Sequence, residues 1–164
     1  MIFFAELAEA GAFDVTDALT YHCYTPSDKV MRDSIVAMRA LADFYKPGMP
    51  VIQGESGTQS RSGGNGALKA GVWSERRQAK YMARHLIIDL LGGAEFASYF
   101  SCMDMIEALN GRSGDTASWL DYGYFGVLGA EFDENGFAVG EYKPKMSYRT
   151  LQTLASALSG EWQG

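Results

Sequence analysis

The apolar run "VIQ" at residues 51–53 ends in Gly54, Glu55, Ser56 and Gly57. Glutamate is among the residues least often buried without a partner. A carboxylate at the tip of a buried run therefore calls for hydrogen-bond donors and for a task. Ionised and held by donors, it can attack an electrophilic carbon or exchange a proton. Other polar groups follow two further strand-like runs: His22 and Tyr24 at the end of "DALTYHCY", and Ser101 and Asp104 after "EFASYF". What matters is whether the fold brings these tips to one side.

The elements that would carry them alternate in type. Residues 2–10 read as a short helix with Phe3, Phe4, Leu7 and Ala8 on one side and Gly11 as its stop. A strand over 17–22 follows, then a turn at "TPSD" in which Asp28 reads as the cap of a helix over 29–45. That helix has Met31, Ile35, Met38, Leu41, Ala42 and Tyr45 at helical spacing. "KPGMP" breaks it, and a strand over 51–54 leads into a Gly/Ser-rich segment, 57–72, that reads as an exposed loop. Ser74 suits the cap of a third helix running to about Leu91, with Ala79, Met82, Ala83, Leu86, Ile87 and Leu90 as its expected buried face. A strand over 95–100, a hairpin turning at Asn135-Gly136 and a helix over 146–159 with Tyr148, Leu151, Leu154, Ala155 and Leu158 on one face complete the chain.

Strands alternating with helices imply an α/β fold with a parallel sheet and helical crossovers. A doubly wound open sheet and a (β/α)8 barrel both fit the alternation. Polar or aromatic tips on three successive strands favour the barrel, whose sites lie at the C-terminal ends of several strands.

Composition narrows the function. The chain has 164 residues, 47% of them hydrophobic, enough for one globular domain and too apolar for a disordered one. A formal charge of −6 repels phosphate backbones, so nucleic acid is not an expected partner. The apolar runs fall short of the roughly 20 residues of a membrane helix. There is no GxxxxGK[ST] loop, and Cys23 and Cys102 form no CxxC pair, so neither a nucleotide cofactor nor a bound metal is expected.

"DALTYHCYTP", "MPVIQGESG", "WSERRQAKYMARHLIIDLLGG", "YFGVL" and "YKPKMSY" together resemble the C-terminal part of a (β/α)8-barrel glycoside hydrolase. The clan is that of retaining enzymes with catalytic glutamates after strands four and seven, among them β-xylosidases, arabinofuranosidases and cellulase-like enzymes. The resemblance covers nearly the whole chain. Its most specific part is the order strand-His-x-Tyr, strand-Gly-Glu-Ser-Gly, Gln-Ala-x-Tyr helix. It implies one partial domain, 1–164, holding strands six to eight with their helices plus a β-hairpin, and lacking strands one to five.

The same resemblance implies a carbohydrate substrate, Glu55 as nucleophile, His22 and Tyr24 lining the site from strand six, Trp73 as a sugar-stacking face, and Tyr99 near the position of a substrate-binding tryptophan on strand eight. Retaining hydrolysis needs a second carboxyl group, an acid/base that in this clan follows an asparagine, and the chain contains no Asn-Glu dipeptide. A three-stranded piece of a barrel has unpaired edges, so self-association or association with the missing barrel half is expected. The alternative is a non-catalytic carbohydrate-binding or interaction fragment.

Overall fold

The computed structural model describes residues 2–106 and 122–159. The described residues group into two compact units, 2–56 with 84–98 and 57–83 with 99–159.

The first unit is built on helix α1 (Ile2–Glu9), a 3-10 turn (Ala12–Val15), strand β1 (Leu19–His22), helix α2 (Asp28–Tyr45), strand β2 (Val51–Ser56), the second half of helix α3 (Glu75–Leu91) and strand β3 (Phe96–Tyr99), whose last residue belongs to the other unit. The strands lie in the order β1-β2-β3, and β1 runs parallel to β2. Alternation along β1 buries Leu19 and Tyr21 and exposes Thr20 and His22. The buried side packs with Phe13, Ile35, Met38, Ala42, Met49 and Val51 into one core.

Helix α2 has the expected stripe, with Met31, Ile35, Met38 and Ala42 buried. Its cap is Ser27 rather than Asp28: the Ser27 hydroxyl accepts the Val30 N–H at 3.3 Å. Asp28 sits in the first turn and takes Arg84 Nε at 2.9 Å. In α1 only Phe4 and Ala8 pack on the core, whereas Phe3 is exposed.

Helix α3 departs most from expectation. Ile87 and Leu90 are exposed, and the buried stripe is Gln78, Ala79, Met82, His85 and Asp89, so three polar residues face inward. In the first unit the Tyr21 hydroxyl donates to Asp89 Oδ1 at 3.4 Å. Burial drives the Asp89 carboxyl up from 3.8 to about 6, against the lowering effect of the Tyr21 hydrogen bond.

The folded state thus holds the Asp89 proton more tightly than the unfolded chain does. Stability from this group is greatest below the unfolded value and is lost as pH rises from about 4 to about 6. Asp89→Asn is expected to abolish that slope and to stabilise the chain at pH 7–8 by on the order of 3 kcal/mol, at about 1.4 kcal/mol per pKa unit. Urea melts across pH 4–8 measure it, and an unchanged slope in the variant would contradict the assignment.

The second unit starts with residues 57–60, which the sequence suggests as exposed loop. The structure buries all four. Strand β4 (Met105–Ile106) pairs antiparallel with β5 (Tyr122–Gly123), and β6 (Leu128–Phe132) with β7 (Ala138–Pro144) in the expected hairpin. At its turn Asp133 Oδ1 accepts the N–H groups of Asn135 and Phe137, each at 2.9 Å. Helix α4 (Met146–Leu158) follows, but its expected apolar face stays largely open, with Leu151 and Leu158 exposed.

Polar side chains hold this unit together. Gln78 is fully buried; its amide donates to Thr58 O at 3.1 Å, Phe125 O at 3.0 Å and Gly126 O at 3.2 Å, and its oxygen accepts from Ser147 Oγ at 2.8 Å. Lys145 Nζ donates to Asp104 Oδ1 at 2.5 Å and to Ser60 Oγ at 2.7 Å. Asp104 also takes the Gly126 N–H at 3.0 Å. Among the described residues no helix is long and apolar enough to cross a membrane.

Candidate active site

Strand β2 runs two residues further than its apolar pattern suggests, and Glu55 lies within it. Strict alternation would put Ile52, Gly54 and Ser56 on the open face with Thr20 and His22, and Glu55 on the opposite, helix-covered face. The pairing avoids this. Leu19, Thr20 and Tyr21 pair with Val51, Ile52 and Gln53, and the register then shifts so that His22 stands opposite Glu55. Gly54 is the extra residue of this bulge, and the shift brings Glu55 onto the face of His22. The Cys23 N–H donates to Glu55 O at 3.1 Å and pins the register beyond it.

The two side chains meet. His22 Nδ1 lies 2.9 Å from Glu55 Oε2, a close imidazole–carboxylate contact. Neither is sealed away: the side chains are 57% and 29% exposed, so a ligand can reach the carboxylate. Tyr24 is half-buried two residues beyond His22, in the same unit. Behind β1, the Cys23 Sγ lies 3.7 Å from Ser34 Oγ, and burial raises the Cys23 thiol above its ordinary value. A groove of about 640 Å³ opens along the outer side of β1, lined by Phe4, Thr20, His22, Val30, Asp33 and Ser34, among others.

The other expected site residues lie in the second unit, where each has a packing partner. Trp73 is only 6% exposed: its indole N–H donates to Leu68 O at 2.8 Å, Tyr81 packs edge-on at 5.6 Å, and the Arg77 guanidinium lies 4.6 Å from its ring centre. Arg77 thus covers the ring and Tyr81 meets it edge-on, leaving little of the tryptophan open. The Tyr99 hydroxyl donates to Thr58 O at 3.3 Å, and desolvation pushes its pKa up to about 12. Asp104 is occupied by Lys145. Among the described residues, no three His, Cys, Asp or Glu side chains converge into a group that could hold a metal ion.

Neither the family models nor the curated proteins compared include a match to this chain. Solved structures do match. A GH2 β-galacturonidase from Eisenbergiella tayi, bound to glycerol, superposes with a TM-score of 0.60 at 15% identity over 90% of this chain and 25% of its own. A β-D-glucuronidase from Dictyoglomus thermophilum gives 0.58 at 18% identity, over 91% and 24%. A β-glucuronidase from Ruminococcus gnavus, in complex with uronic deoxynojirimycin, gives 0.56 at 15%, over 87% and 23%. The chain spans about a quarter of the length of these enzymes, and at such identities the likeness is one of fold: a mixed α/β segment like one found within glycoside hydrolases.

Proposed function

We propose that this chain is the part of a retaining (β/α)8-barrel glycoside hydrolase that carries the nucleophile, with β1, β2 and β3 as strands six, seven and eight and Glu55 as the attacking carboxylate. The observation that carries the reading is the 2.9 Å contact between His22 Nδ1 and Glu55 Oε2 at the C-terminal ends of adjacent parallel strands, on a face open to ligand. The fold likeness to glycoside hydrolases supports the same reading.

The chemistry follows from the geometry. Glu55 must be ionised and aimed when it attacks the anomeric carbon, breaking the bond to the leaving oxygen and forming a glycosyl ester. At attack, the His22 N–H is the donor we assign to one carboxylate oxygen, leaving the other to react. Tyr24 is the second donor we assign to this face. The acid/base carboxyl, about 5–5.5 Å from the nucleophile in retaining enzymes, comes from a segment outside these three strands. That segment, or a second copy of the chain, also covers the free edge of β1 in this proposal. Trp73 and Tyr99 keep a supporting role, as packed anchors of the second unit.

His22→Ala tests the pairing in an enzyme that joins this chain to its acid/base segment. Loss of one hydrogen bond to a charged group costs about 1.5–3 kcal/mol, so kcat/KM is expected to fall roughly 10- to 150-fold, mostly in kcat. Unchanged kcat/KM would remove His22 from the site.

A further inference from the structure

We propose that Gly54 is a positioning residue for the His22–Glu55 pair: its missing side chain is the space in which the His22 imidazole lies. A Cβ built on Gly54 would stand 2.5 Å from Thr20 Cγ2, 3.2 Å from His22 Nε2 and 3.3 Å from His22 Cδ2. The Thr20 separation is far shorter than any real Cβ contact, and the two to the imidazole are tighter than ordinary contacts of about 3.5–4.0 Å, so the ring would have to move off Gly54.

The backbone does not ask for glycine here. The φ of Gly54 lies outside the left-handed region that Gly11, Gly48 and Gly93 occupy, so space and not torsion is what the residue supplies. The imidazole uses that space in a specific way. The edge carrying Nε2 and Cδ2 lies over the bare Cα of Gly54, and Nδ1 reaches Glu55 Oε2 at 2.9 Å. The register shift completes the device. It makes Gly54 the unpaired residue between Gln53, opposite Tyr21, and Glu55, opposite His22. One glycine therefore both turns the carboxylate onto the open face and clears the floor for the ring that holds it.

The consequence for catalysis rests on the reading of Glu55 as nucleophile; the geometric claim does not, and its test needs no substrate. The Thr20→Ser change removes Cγ2, so that Gly54→Ala in that background meets only the His22 ring. Long-range 15N–1H spectra of the 164-residue chain report whether His22 Nδ1–H is hydrogen-bonded; the chain has two histidines, and His22→Ala assigns the signal. Thr20→Ser alone is expected to keep the wild-type Nδ1–H signal, and Thr20→Ser with Gly54→Ala to lose it. Retention of that signal in the folded double variant would overturn the proposal.

If the double variant fails to fold, Gly54→Ala is placed in a Thr20→Ser/His22→Ala background, which clears all three obstructing atoms. Folding with the melting temperature of its Gly54 parent supports the proposal; a further large drop places the strain elsewhere and overturns it. If the signal is lost while turnover of the joined enzyme is unchanged, the pairing has no part in catalysis and the positioning claim stands.

Discussion

Glu55→Gln is expected to lower kcat/KM by about 10⁴-fold or more in an enzyme that joins this chain to its acid/base segment. The amide keeps the shape of the side chain and can still accept from His22 Nδ1, 2.9 Å away in the parent. It cannot form the glycosyl ester, so the covalent route is closed rather than weakened, and losses of this size follow removal of a nucleophile. The fall should appear in kcat and kcat/KM together, because the interaction lost is one made in the transition state. It should also exceed the effect of His22→Ala, since a nucleophile misaimed is still a nucleophile. A Glu55→Gln enzyme within tenfold of wild type, or a His22→Ala defect larger than the Glu55→Gln one, would contradict the assignment.

The largest expected effect on stability is at Lys145. Its ammonium and the Asp104 carboxylate are both nearly sealed from water, with side chains 8% and 6% exposed. Burial pushes Asp104 up and Lys145 down, while their pairing, the Ser60 hydroxyl and the Gly126 N–H offset the desolvation. Lys145→Met removes one partner and leaves a buried carboxylate facing a thioether. Breaking a buried pair in this way costs about 3–5 kcal/mol, so the variant's second unit is expected to unfold at much lower urea. Lys145→Met with Asp104→Leu should recover a large part of the loss, because the stranded charge is gone. A single-variant cost under about 1 kcal/mol would mean that the pair does not hold this unit.

Several features of the fold were legible in residues because they are written locally. The stripe of Met31, Ile35, Met38 and Ala42, the Gly11 stop and the Asn135-Gly136 turn all depend on near neighbours in sequence. Glu55 was legible as a candidate because a carboxylate at the end of an apolar run is out of place unless it has work. The bulge at Gly54 was not, since a register shift is a property of two strands and only one is visible at a time.

Helix α3 shows the same limit from the other side. Of its expected apolar face, residues 79, 82, 83, 86, 87 and 90, Ala79 and Met82 are buried, and beside them Gln78, His85 and Asp89, at helical spacing too, take the place of the rest. The signal was present as spacing; what could not be read was that Tyr21 and the carbonyls of Thr58, Phe125 and Gly126 wait as partners. For the same reason the sequence does not show that Trp73 is packed by Arg77 and Tyr81 of the helix that follows it.

The account's central claim is that the Glu55 carboxylate attacks a sugar, and trapping that ester tests it most directly. A 2-deoxy-2-fluoro glycosyl fluoride carries a leaving group that departs without acid help, and the fluorine slows hydrolysis of the ester once formed. The joined enzyme is incubated with the xylose, glucose and glucuronic acid forms, digested, and its peptides weighed. The account predicts that one of these sugars adds a single fluoroglycosyl mass to the peptide containing "VIQGESG", located on Glu55 by fragmentation and absent from Glu55→Gln. Inactivation with the mass on any other residue, or with equal labelling of Glu55→Gln, would contradict it.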